Sequence, residues 1–108
     1  MKRVLFPIVI LMLAGTAYAK GNAENGKAKA AQVCAACHGA DGAKPTAPDQ
    51  PILAGQYNDY LVKALQDYKS GKRTNPIMKA FAAPLSKKEI EDLAAWFSSQ
   101  KSGLHFQR

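Results

Sequence analysis

Cys34-Ala35-Ala36-Cys37-His38-Gly39, CAACHG in one-letter code, decides how this chain of 108 residues is read. Two cysteines separated by two residues serve as a redox dithiol, as half of a zinc site, or as the two covalent anchors of a haem with its iron ligand next in line. They are the only two cysteines in the chain, and its two histidines are His38 and His105. The surroundings of the motif must therefore decide between three chemistries.

Upstream, Met1-Lys2-Arg3 is followed by an apolar run from Val4 to Gly15 and by Thr16-Ala17-Tyr18-Ala19. A basic start, a short apolar stretch and an A-x-A site form the three-part pattern of a secretory signal peptide. The run is shorter than the ~20 residues that span a bilayer and contains Pro7. Cleavage is expected after Ala19, so that 1-19 is the leader and 20-108 a single domain of 89 residues with no stable membrane insertion. Export predicts the periplasm, where two free thiols would ordinarily be oxidised. A domain this small also gains from an internal staple such as a metal, a disulfide or a buried macrocycle. Removing Lys2 and Arg3 leaves 13 basic and 8 acidic side chains, a net charge of +5. With no basic block and no aromatic stacking platform, nucleic acid is not an expected partner. A dispersed basic surface instead fits transient docking on acidic protein surfaces or approach to an anionic membrane face, and charge alone does not choose between them.

The mature chain reads as all-α. Asn22 is placed to cap a helix over about Ala23 to Val33, which delivers the chain to Cys34. Gly39 to Gly55, with Pro45, Pro48 and Pro51, reads as a loop. Leu61, Ala64, Leu65 and Tyr68 recur at helical spacing between about Asn58 and Ser70, and Gly71 ends that helix. Lys72 to Leu85, with Pro76 and Pro84, reads as a second irregular stretch. Ser86-Lys87-Lys88-Glu89 is a capping box, opening a helix with Ile90, Leu93, Ala94 and Phe97 on one face and Trp96 at its edge. The tail from Ser102 to Arg108 is expected to fray.

In this frame the redox dithiol is poorly served, because such a motif works from a helix N-terminus in a βαβ setting and here it follows a helix. Zinc wants four tetrahedral donors. Cys34, Cys37 and His38 offer three, and adjacent Cys37 and His38 do not easily point together at one ion. Covalent haem uses all three: the thiols add across the vinyl groups and the following histidine binds the iron. If the iron takes a sixth ligand, Met78 is the one methionine left after the leader, in Asn75-Pro76-Ile77-Met78. His105, in the polar tail, and Lys79 are the weaker contenders, so Met78 is the expected second axial ligand.

CAACHG at 34–39, Pro51-Ile52-Leu53-Ala54-Gly55-Gln56, the Tyr60-Leu61 helix, Asn75-Pro76-Ile77-Met78 and Leu93-Ala94-Ala95-Trp96-Phe97 appear in this order across the mature chain. In that order they resemble the class I c-type cytochromes of the small bacterial periplasmic monohaem kind. The resemblance implies three to five helices around one covalently attached haem c, with the first and last helices crossing at Gly26 and Trp96. It implies Cys34 and Cys37 as thioether anchors, and His38 and Met78 as axial ligands of the haem iron. It implies further that the Pro51 carbonyl accepts from His38 Nδ1, and that Tyr57 and Arg73 reach the propionates. Phe81 is expected to pack against the haem.

Iron held by histidine and methionine has no position for substrate, so the expected function is a soluble one-electron Fe(III)/Fe(II) shuttle, a monomer that docks transiently on redox partner proteins, and not an enzyme. A haem subunit fixed in a larger oxidoreductase is the second expectation and would need a sizeable apolar docking patch. A gas sensor or weak peroxidase would need an open distal position, which Met78 opposes.

Overall fold

The computed structural model describes residues 2–5, 7 and 21–101. Most of the apolar run and the cleavage site of the expected leader, and the tail with His105, lie outside the described residues. Among the described residues there are five helices and no strand: α1 Ala23–Val33, α2 Ala35–His38, α3 Asn58–Ser70, α4 Pro76–Ala82 and α5 Lys87–Ser98. No described helix is long and apolar enough to cross a membrane.

The local chemistry explains the ends. The Asn22 side chain accepts from Asn25 N at the start of α1, and Ser86 with Glu89 forms a reciprocal capping box at the start of α5. Gly71 closes α3 in the left-handed region at φ 88°, where a Cβ would be strained. Cys34 keeps helical dihedrals and its N–H reaches Ala30 O, so α1 passes into the single turn of α2 almost without a break.

α5 supplies the core. Ile90, Leu93 and Ala94 are fully buried, and Phe97 nearly so, packed with Ala30 of α1, Leu61 of α3, Ala82 of α4 and Leu85. Each large apolar side chain buried in this way stabilises the fold by roughly 1.5–3 kcal/mol. α1 and α5 cross at Gly26, whose missing side chain leaves room for the α5 backbone at Asp92 and for Trp96. Asp92 is buried in that crossing and satisfied there. It accepts from Asn22 N at 2.7 Å and pairs with Lys88 Nζ at 3.1 Å.

One expectation is corrected. The stretch from Lys72 to Leu85 is not irregular throughout, since Pro76 to Ala82 forms α4. Asn75 is its N-cap, accepting from both Ile77 N and Met78 N. Pro76 occupies the first turn, where its missing N–H costs no helical hydrogen bond.

Candidate functional site

α1, α2, α3, α4, α5 and the loop between α2 and α3 enclose a cavity of about 500 Å³. Cys34, Cys37 and His38 lie on its wall together with Met78 and Phe81 from α4. Leu61 and Leu65 of α3, with Leu93 and Phe97 of α5, make much of the remainder apolar. A space of this size is in the range of organic ligands and cofactors, far beyond one ion.

His38 is 6 % exposed, and its Nδ1 lies 2.9 Å from the Pro51 carbonyl oxygen. A carbonyl only accepts, so Nδ1 carries the proton and donates it. Nε2 is then the lone-pair nitrogen of a ring on the cavity wall. The bond fixes tautomer and ring orientation, which is what a metal-binding imidazole requires. The arrangement has a local cause: the short α2 turn sets His38 after Cys37, and the proline-rich loop returns to bring Pro51 beneath it.

Cys34 and Cys37 are half-buried and unbridged. Burial first, and neighbouring Cys37 second, push the Cys34 thiol up to about 11 against the opposing pull of Lys29. A thiol in disulfide exchange needs the opposite shift, toward the thiolate. Among the described residues no three His, Cys, Asp or Glu side chains gather to hold an ion. Two thiols, one imidazole and one thioether instead share the wall of a largely apolar hollow, beside polar groups that include Asp49, Gln50 and Asn75. That set fits a haem with thioether anchors and nitrogen and sulfur donors to iron.

Arg73 lies on the same wall. Its Nη2 donates to Tyr60 Oη at 2.9 Å, and the guanidinium lies 5.5 Å from the Tyr60 ring centroid and 5.3 Å from that of Tyr68. The bond to Tyr60 and then the contact with Tyr68 raise the guanidinium pKa, and among the described residues Arg73 is the only lysine or arginine on the wall. Tyr57, at the N-cap of α3, is about half exposed and does not line the cavity. Tyr60 and Tyr68 do line it, and the sequence reading did not give them a role there. Their signal was a spacing of two helical turns on α3, followed after Gly71 by an arginine.

The family model described as cytochrome c matches residues 23–101. The chain is 48 % identical over 102 residues to cytochrome c4 of Pseudomonas aeruginosa, covering 94 % of this chain and 50 % of that protein. It is 43 % identical over 116 residues to cytochrome c4 of Stutzerimonas stutzeri, covering 98 % and 54 %. The crystal structure of reduced recombinant cytochrome c4 from Pseudomonas stutzeri superposes with a TM-score of 0.70 at 45 % identity, covering 78 % of this chain and 48 % of that one. The chain thus spans about half the length of these relatives.

Proposed function

The chain belongs to the cytochrome c family, and from that premise we propose that it is a one-electron carrier of the periplasm, released from its leader after Ala19. In this reading Cys34 and Cys37 hold haem c through two thioether bonds. His38 and Met78 are the axial ligands of its iron, and Pro51 and Arg73 support the group from the wall. The observation that carries the reading is the single cavity on which Cys34, Cys37, His38 and Met78 meet, with His38 already oriented by Pro51.

Bound there, the group would supply a reversible Fe(III)/Fe(II) couple. The residues supply the rest. His38 keeps its proton at Nδ1 on the Pro51 carbonyl and leaves Nε2 to bind. The thioether of Met78 favours the reduced metal more than a second imidazole would. Leu61, Leu65, Leu93 and Phe97 exclude water and disfavour the extra positive charge of the oxidised state. Both ligands stand on helices, so either redox state meets the same wall. Tyr60, Ile77 and Phe81 line the cavity and are also 49 %, 63 % and 43 % exposed, which gives electrons a short route to a docked partner. Dispersed surface lysines would steer that partner, an acidic redox protein, and make the encounter rate fall with salt.

The test is the optical spectrum of the purified mature protein and of Met78→Ala, oxidised and reduced. A covalent haem spectrum is expected in both. Met78→Ala should lose the methionine–iron charge-transfer band and let the reduced protein bind carbon monoxide. An unchanged mutant spectrum would remove Met78 from the iron, and absence of any haem absorption would remove the reading as a whole.

A further inference from the structure

The helix that carries Met78 has only seven residues. A helix so short does not hold itself in water, since isolated helices below ~12 residues are marginal even with good formers. Its position must come from its neighbours, and at its N-terminal end the Asn75 side chain supplies part of the hold. Inward packing is thin. Ala82 alone of the helix is fully buried, Ile77 is 63 % exposed and Phe81 43 %.

At the other end stands Lys69, an exposed residue in the last turn of α3. Its Nζ donates to Ala83 O at 2.8 Å and to Leu85 O at 2.6 Å. Ala83 is the C-cap of α4, and Leu85 is the buried residue that joins α4 to α5. Carbonyls at and just past a helix C-terminus have no partner within the helix and carry the negative end of its dipole, so an ammonium is well matched to them. The two bonds span 14 and 16 residues of sequence, so they tie one helix to another and do not merely cap one of them.

We propose that Lys69 is a positioning residue for the distal side of the cavity. It clasps the end of α4 to α3 and so keeps Met78 against the wall, limiting access of outside ligands. The inference rests on the reading of Met78 as an axial ligand for its functional consequence, but not for the clasp itself.

The experiment uses the haem-loaded mature protein, Lys69→Met and Lys69→Arg. Native-state amide exchange is followed at Lys79, Ala83 and Leu85, whose N–H groups are bonded to Asn75 O, Lys79 O and Ala82 O. In Lys69→Met these amides should exchange roughly 5- to 10-fold faster, the net scale of one ordinary hydrogen bond in a locally opening unit, since the two freed carbonyls regain water. The Cys34 amide, bonded to Ala30 O of α1, and the Ile90 amide, bonded to Ser86 O at the start of α5, should keep the parent rate and so report that the fold is intact. Lys69→Arg, whose fork can reach both carbonyls, should restore the α4 rates. Added imidazole should bind the oxidised Lys69→Met protein several-fold more tightly than the parent, with a weaker methionine–iron charge-transfer band. Unchanged α4 exchange in Lys69→Met would overturn the clasp. Faster exchange with neither the band nor imidazole binding altered would overturn its role in holding Met78. Met78→Ala, run in parallel, separates the two readings. If it binds imidazole no better than the parent, the axial role of Met78 fails, while the exchange rates and the arginine rescue still decide the clasp.

Discussion

Gly26 of α1 lies directly against the Asp92 carbonyl of α5, so that a Cβ at position 26 would overlap that group and come within 2.9 Å of Trp96 Cβ. The obstacle is largely backbone, which no rotamer change can move aside. Gly26→Ala should therefore destabilise the protein despite alanine's better helix propensity, by about 3 kcal/mol, the upper range for overpacking. Urea unfolding followed by far-UV circular dichroism checks this. A gain in stability would show that the two helices separate at little cost.

The anchors should prove unequal to loss one at a time. Cys34→Ser leaves Cys37 and His38 in place, so haem should stay attached through one thioether and survive acid–organic extraction. The vinyl group left unreacted extends the conjugation of the ring, and the reduced absorption bands should move to longer wavelength. Cys34→Ser with Cys37→Ser should release all haem on extraction. Retention of haem in the double variant would mean that it is not held through these sulfurs.

Acid sensitivity should be traceable to Glu89. The Lys29 ammonium, 2.7 Å from Glu89 Oε2, and the Ser86 backbone N–H hold this carboxyl down at about 2 against 4.5 for an ordinary glutamate. A folded-state value below the unfolded one favours the fold fully above pH 4.5, and that favour is lost as the pH falls through the folded value near 2. Glu89→Gln keeps the capping box but not the charge. Its urea midpoint should fall less than the parent's between pH 4.5 and 2, and added salt should narrow the gap because the pair is at the surface. Parallel decline of the two proteins would assign the acid response to other carboxylates.

How far the sequence could be read depended on what kind of signal each element left. α1, α3 and α5 were legible to within a residue or so because Asn22, Gly71 and the Ser86–Glu89 box mark their ends and their apolar residues recur toward one core. α4 was hidden because Ile77, Met78 and Phe81 line a cavity and not the packed core, and because Pro76, read as a breaker, sits at the permitted first turn. That His38 and its two cysteines share one wall was legible from their spacing, while the choice among three chemistries needed the surroundings as well. The Tyr60–Arg73–Tyr68 cluster was not, because it depends on the chain reversing after Gly71 and laying Arg73 back over the face of α3. Lys69 left no signal either. A lysine in the last turn of a helix is unremarkable until the carbonyls it meets are known.

That cluster yields a prediction about redox potential. Among the described residues Arg73 is the only lysine or arginine on the cavity wall, fixed there by the phenol of Tyr60 and by two aromatic faces. A fixed positive charge near the haem disfavours the oxidised, more positive state, and its removal must lower the potential. Arg73→Met should lower it by roughly 20–60 mV, the range for one unit charge several ångströms away at an effective dielectric constant near 20 with partial screening. Arg73→Lys keeps the charge but loses the planar fork and the stacking, so the potential should fall only in part. Tyr60→Phe keeps an aromatic face and loses only the hydrogen bond, so its shift should be smaller than that of Arg73→Met. Potentiometric titration of the three variants with the parent gives the order directly. If Arg73→Met keeps the parent potential while its spectrum stays that of the parent, the guanidinium does not act on the iron, and the cluster is a brace for the turn between α3 and α4.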